Sequence, residues 1–174
     1  MSKIYSMENN NLQKLFYTQI INHIEGISSI DLNNNIDDIL LRKSKESLGD
    51  KCSKNGYILK DSIKIIKRSI GKIKSSHFNG MVIFNIKLEV TVCNPSEGDI
   101  IKCKVVGKNK MGILAKTPPL LIALSLLYHT EQVAIDLFNN VNVNDTIMVK
   151  VIDSKFSLND TEIQIIAKIY SKIN

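Results

Sequence analysis

Residues that could do chemistry are few in this chain of 174 residues: three histidines and three cysteines, at His23, His77, His129, Cys52, Cys93 and Cys103. Neither set has the spacing of a metal site. The neighbouring residues do not support a catalytic pair between a histidine and a cysteine or an acid. A basic loop around Cys52 would lower the pKa of that thiol. We expect no metal, no other cofactor and no catalytic residue.

Two further segments invite a catalytic interpretation that their neighbours do not support. Gly107 and Gly112 have the separation found in a phosphate-binding loop, but Ile113 follows where a lysine should stand. Asp37 and Asp38 could act as an acid and a base, yet they fit better as acids in the first turn of a helix. The residues therefore predict a protein without an active site of its own.

Positive charge is concentrated in two stretches of a chain whose formal net charge is +6. Residues 42–74 contain eleven basic and three acidic residues, and residues 102–116 contain five lysines and no acid. A basic balance favours polyanionic partners. A solvated face explains each stretch equally well, so the charge alone does not establish a polyanionic partner.

No run approaches the roughly 20 apolar residues of a membrane span, and residues 1–30 contain no uninterrupted apolar segment typical of a secretory signal. The odd number of cysteines gives no disulfide framework. We expect a chain in a reducing compartment with no membrane partner.

The first half has the pattern of a small α+β domain. Alternating apolar residues at 82–92 predict one long strand, and residues 12–24 predict another. Residues 36–48 predict a helix, with Asn35 as its N-cap and Gly49 at its C-terminal end. One further strand is expected to open at Gly56 and to continue to Ile65.

The second half has the pattern of an all-β domain. Five short apolar runs, the third preceded by Pro118-Pro119, surround one helix expected at 131–138. This order fits a small OB-type barrel. The predicted fold class is α+β, with an N-terminal antiparallel sheet and one helix over residues 1–92 and a C-terminal OB-type β-barrel over residues 93–174.

Several short motifs then resemble one family. The segment 51–58, Lys-Cys-Ser-Lys-Asn-Gly-Tyr-Ile, is similar to the tip loop of the seventh-subunit family of RNA polymerase II, to which the E-type stalk protein of archaeal polymerases is equivalent. Residues 80–88 resemble the next strand of that family. The segment 94–101, Asn-Pro-Ser-Glu-Gly-Asp-Ile-Ile, resembles the junction that precedes its OB domain. In order and spacing these motifs cover residues 12–170.

The resemblance implies a non-catalytic stalk subunit of a multisubunit DNA-directed RNA polymerase, docked on the core near the clamp. Its partners would be the large subunits, a smaller stalk subunit and nascent RNA. The residues that match the docking loops are Lys51, Cys52, Lys54, Asn55, Gly56, Tyr57, Gly71, Asn79 and Gly80.

The barrel half departs from the family where RNA would bind. Family members that bind nucleic acid have aromatic residues around the position of Gly112, and this chain has Met111 and Ile113 there. Base stacking contributes roughly 1–3 kcal/mol per base, so RNA contact should be weak and independent of sequence. It would rest on Lys102, Lys104, Lys108, Lys110 and Lys116.

Two other functions fit the same residues: a free-standing OB-fold RNA-binding or translation factor, and a structural adaptor without nucleic-acid contact. The abundance of Ile, Asn and Lys suggests an AT-rich genome, first that of a large DNA virus and second that of a protist or other eukaryote. A viral chain would be expected in the virion and the host cytoplasm, and a cellular eukaryotic one in the nucleus.

Overall fold

A computed structural model of the chain describes residues 15–32, 35–73, 80–128 and 132–173. The described residues form two compact units. Residues 15–16, 52–57 and 93–173 form the barrel unit, and Tyr17–Lys51 with Ile58–Val92 form the sheet unit. Among the described residues, no helix is both long and apolar enough to cross a membrane.

From Phe16 to Cys93, the described residues of the first half form six strands, one α-helix and two 3-10 turns. They are β1 (Phe16–Ser28), a turn at Ser29–Asp31, α1 (Ile36–Leu48), β2 (Lys51–Ser53), β3 (Gly56–Ile58), a turn at Lys60–Ser62, β4 (Lys64–Arg68), β5 (Lys72–Ile73) and β6 (Met81–Cys93). The sheet has the order β1-β6-β3-β2, and β4 and β5 also pair with β6. The strand predicted at 82–92 and the helix predicted at 36–48 are both confirmed.

The ends of α1 differ from the expected capping. The Asn35 side chain makes no cap hydrogen bond. Gly49 is extended, with φ −68°, and the left-handed residue is Asp50, with φ +55°. A Cβ at Gly49 would lie 2.4 Å from the Lys45 carbonyl oxygen, so glycine is required there by close contact and not by a positive φ.

The single strand expected from Gly56 to Ile65 is wrong, because the chain breaks it after Ile58. Ser62 turns the backbone by donating from its N–H (3.1 Å) and its Oγ (2.7 Å) to the Leu59 carbonyl oxygen. A serine can offer the backbone a local partner that competes with a strand ladder. The alternation of apolar residues continues across this turn, which is why the sequence suggested one strand.

The core of the sheet unit is aliphatic and lies between α1 and one face of the sheet. Burial of each such side chain contributes about 1.5–3 kcal/mol. Its buried members are Ile27, Leu40, Ile58, Ile63, Phe84, Ile86, Leu88, Val90 and Val92.

The second half forms a closed five-stranded barrel with the order β10-β11-β9-β8-β7. Its elements are β7 (Ile100–Asn109), β8 (Gly112–Thr117), β9 (Leu120–Ser125), a 3-10 turn at Leu126–Tyr128, α2 (Gln132–Asn140), β10 (Thr146–Lys155) and β11 (Ile163–Ile173). All neighbours are antiparallel except β9 and β11, which are parallel. Five strands, with a helix between the third and fourth, are compatible with an OB-type barrel.

Most differences from the predicted second half concern element ends. The five predicted strands are confirmed, and β9 begins directly after Pro119, as a strand that follows proline should. The helix continues two residues past its predicted end at Phe138, through Asn139 and Asn140. Glu131, where the predicted helix begins, lies outside the described residues.

Ser44 is the one buried polar side chain that lacks a hydrogen-bond partner among the described residues, and it is fully buried in α1. We predict that Ser44→Ala raises the free energy of unfolding by about 1 kcal/mol. The change removes an unsatisfied hydroxyl and introduces a better helix former. Thermal unfolding should show a Tm higher by about 2–4 °C.

Ser47 provides the control for that substitution, because it lies one turn further along α1, is exposed, and donates to the Ser44 carbonyl oxygen at 3.3 Å. Ser47→Ala should change the free energy of unfolding by less than about 0.5 kcal/mol. A lower Tm for Ser44→Ala would mean that the buried hydroxyl is satisfied in solution.

Candidate docking hairpin and nucleic-acid interface

The β2–β3 hairpin turns at Lys54 and Asn55, which are both exposed. Ser53 Oγ accepts from the Asn55 N–H (3.2 Å) and donates to the Gly56 carbonyl oxygen (3.0 Å). Gly56 has φ +125°, a conformation that other residues rarely adopt. The turn is therefore shaped by short-range interactions of its own residues.

Cys52 holds this hairpin to the turn that precedes β11, within the barrel unit. Its N–H donates to the Asp160 carbonyl oxygen (2.7 Å), and its carbonyl oxygen accepts from the Asn159 N–H (2.9 Å). Cys52 is 2% exposed and Tyr57 is 9% exposed. Of the predicted docking residues in the hairpin, Lys54 and Asn55 offer exposed side chains, whereas Cys52 and Tyr57 support the fold.

Lys51 precedes the hairpin and binds the end of α1, within the sheet unit. Its Nζ donates to the carbonyl oxygens of Glu46 (3.1 Å) and Ser47 (3.4 Å). Cations are favourable at a helix C-terminus, where carbonyl groups lack intrahelical partners.

The second predicted docking loop is described only at its two ends. Gly71 is half-buried, and a Cβ there would lie 2.8 Å from the Phe84 ring. Gly80 has φ +66°, and its carbonyl oxygen accepts from the Ser29 N–H at 2.9 Å. Both positions therefore require glycine for local structure. Asn79 lies outside the described residues.

Burial raises the pKa of all three thiols, which is the opposite of the shift expected for Cys52. The pKa of Cys52 rises to about 11, because of burial and then the negative charge of Asp160. Burial also raises the pKa values of Cys93 and Cys103 to about 12. The thiols are protonated at neutral pH, and the basic residues near Cys52 in sequence do not offset its burial. No group of His, Cys, Asp or Glu side chains suited to a metal ion occurs in the described part of the chain.

The five predicted RNA-binding lysines lie on β7 and β8 and in the turn between them, but they differ in what they contact. Lys104 is exposed and pairs directly opposite Lys116 across the two strands. Lys116 forms an ion pair with Glu162. Lys110 is exposed in the turn, and Lys102 is half-buried on β7.

Lys108 binds the C-terminal end of α2. Its Nζ donates to the carbonyl oxygens of Phe138 (3.3 Å), Asn139 (2.7 Å) and Val141 (2.8 Å). Lys108 therefore supports the helix end. Lys104 and Lys110 are exposed, and neither has a carboxylate or carbonyl partner in the described part of the chain.

An open groove of about 680 Å³ crosses β8 and β9, the second and third strands of the barrel. In OB-type barrels this face binds oligonucleotides and oligosaccharides. Leu114 is opposite Ala123, which in turn is opposite Ile166 on β11, so an apolar row crosses three strands. The remaining apolar lining side chains include Met111, Leu127 and Tyr128.

Met111 and Ile113 stand where base-stacking residues are expected, and their side chains differ in exposure. Ile113 is 2% exposed inside the barrel, whereas Met111 is 84% exposed at the hairpin turn. Tyr128, which is 45% exposed, is the one aromatic side chain among the described residues of the groove. Sequence analysis missed Tyr128, although its position just after the third strand could have suggested it.

No model of a known protein family matches this chain. Over 144 residues the chain is 29% identical to a protein of Acanthamoeba polyphaga mimivirus named as a Putative DNA-directed RNA polymerase subunit. The alignment covers 78% of this chain and 72% of the viral protein. This likeness agrees with the resemblance of the motifs to a polymerase subunit. It does not indicate which class of polymerase subunit the chain resembles.

The contacts of Lys108 predict a structural role. Lys108→Met should lower the free energy of unfolding by about 1–2 kcal/mol, because three carbonyl oxygens at the end of α2 lose their shared donor. Lys110→Met is the matched control two residues away and should change it by less than about 0.5 kcal/mol. Urea unfolding followed by circular dichroism would measure both, and equal effects would contradict the assignment.

Proposed function

We propose that this chain is a non-catalytic accessory subunit of a multisubunit DNA-directed RNA polymerase. The observation that carries the proposal is the 29% identity to the mimivirus protein over most of both chains. The polymerase motifs and the closed barrel, which is compatible with an OB-type domain, support it independently of that comparison.

The finer proposal is a stalk subunit of the class that includes the seventh subunit of RNA polymerase II and the E-type stalk protein of archaea. It rests on the order of the motifs at 51–58, 80–88 and 94–101, which lead into a five-stranded barrel. Such a protein would dock on the large subunits near the clamp and would pair with a smaller stalk subunit. A viral relative favours a viral source, and with it the virion and host cytoplasm as the locations.

Within this proposal the β2–β3 hairpin supplies the docking contact through Lys54 and Asn55. The turn is held by Ser53 and Gly56, and the buried side chains of Cys52 and Tyr57 support it. A preshaped loop loses little conformational entropy on binding, so a short loop can contribute usefully to affinity.

A tagged copy of the chain should therefore bring down the large polymerase subunits. Lys54→Glu combined with Asn55→Asp should weaken that association roughly tenfold, because the change reverses charge at the tip without touching buried residues. Lys110→Glu, in the turn of another hairpin, is the control and should retain it. Quantitative pull-down with a thermal melt of each variant measures both effects.

Two outcomes would contradict different parts of the proposal. Retained association after the Lys54 and Asn55 change would locate docking elsewhere. If the large subunits never accompany the tagged chain, the polymerase role is lost and a free-standing OB-fold RNA-binding or translation factor, or a structural adaptor, becomes the better assignment.

We propose that contact with nascent RNA is weak and electrostatic. Lys104 and Lys110 remain available on the barrel, whereas Lys108 and Lys116 are engaged by the protein. Tyr128 could stack one base beside an otherwise apolar groove.

Titration of single-stranded RNA at several salt concentrations tests this contact. Two phosphate contacts predict a log–log slope of about −1.4. Lys104→Glu with Lys110→Glu should abolish the salt-dependent binding, whereas Lys155→Glu, at the exposed end of β10, should not. Absence of binding at low salt, or binding that does not depend on salt, would remove RNA from the proposal and leave docking intact.

A further inference from the structure

The sheet unit has a second face, opposite its apolar core, that carries unpaired positive charge. Along β6 the side chains of Phe84, Ile86 and Leu88 are buried, whereas Asn85 and Lys87 between them are exposed. Strand pairing places Ser69 beside Asn85, with hydrogen bonds in both directions. This outer face is therefore polar in its centre.

Lys67 on β4 lies directly opposite Lys87 on β6. Like charges directly opposite each other destabilise a sheet. Elsewhere on the same two strands, Lys64 lies opposite an acid, Glu89. Arg68 forms an ion pair with Asp37 on the core side of the sheet. No carboxylate of the described residues pairs with Lys67 or Lys87, so this pair keeps a local surplus of positive charge.

The two lysines line an open groove of about 500 Å³. Asn22 and Asn85 add amide groups, and Ile24 adds an apolar wall. Ile24 is 66% exposed and Ile20, two residues before Asn22 on the same strand, is 60% exposed. The face thus combines two cations and amide donors with solvent-exposed aliphatic side chains.

We infer that this groove binds an extended acidic segment of a partner protein, in which carboxylates alternate with apolar side chains. Carboxylates complement the two ammonium groups and the amides, and the apolar residues complement Ile20 and Ile24. Single-stranded RNA fits less well, because no phenylalanine, tyrosine or tryptophan lines the groove among the described residues. His23 and Arg68 also line it, but they are bound to the carboxylates of Glu25 and Asp37. The inference does not depend on the polymerase role.

A short fluorescein-labelled peptide of alternating glutamate and leucine is the probe, titrated into the full chain at low and high salt. Binding should weaken as salt rises. Lys67→Glu should weaken it roughly tenfold at low salt. The same substitution places an acid opposite Lys87, so the Tm should rise by about 1–3 °C while binding weakens.

The barrel unit offers a matched control in Lys150, which is directly opposite Lys168 across β10 and β11. Lys150→Glu also replaces one member of an opposed lysine pair, so it should give a similar rise in Tm and leave peptide affinity unchanged. Lys87→Gln is the second test variant. It removes one charge without adding another and should weaken binding about threefold.

Three results would overturn the inference. The first is unchanged peptide affinity in Lys67→Glu, or in Lys87→Gln if the former does not fold. The second is equal weakening by Lys150→Glu, which would indicate a general effect of net charge. The third is displacement of the peptide by poly(U) RNA together with loss of RNA binding in Lys67→Glu, which would make the groove a nucleic-acid surface.

Discussion

The pairing of β6 is the constraint on which the sheet unit depends. This strand pairs with β1, β3, β4 and β5, and its inward side chains from Phe84 to Val92 are nearly all excluded from water. Because side chains alternate along a strand, a shift of one residue in its register would expose that whole row. The alternation thus determines both which face is core and which face is exposed to solvent.

Closure imposes a comparable constraint on the barrel unit. β11 pairs with β9 on one side and β10 on the other, and β10 pairs with β7, so no edge remains among these five strands. The interior is filled mainly by Ile, Val, Leu and Ala side chains, together with Cys103, and the alternate side chains point outward. On β8 and β9 outward-facing side chains line an apolar groove.

Lysine has three distinct physical uses in this chain, and composition cannot tell them apart. Lys51 and Lys108 bind carbonyl oxygens at helix ends, and Lys116 pairs with an acid. Lys67 and Lys87 face each other across two strands at a cost in stability.

Sequence by itself determined the elements whose signals are local. The alternation at 82–92, the helix at 36–48 and the five strands of the second half all follow from periodicity and turn residues, because each depends on neighbours in the chain. The broken strand after Ile58 was missed, since the serine contact that turns the backbone competes with a continuing apolar pattern.

Only the tertiary structure decided what the candidate residues do. Burial, and not the nearby basic residues, determines the pKa of Cys52, and the partners of Lys108 lie thirty and more residues away in the chain. Tyr128 joins a groove, and Lys67 meets Lys87, through strand pairing between distant segments. These properties depend on which groups meet and which are excluded from water, and a linear pattern contains neither.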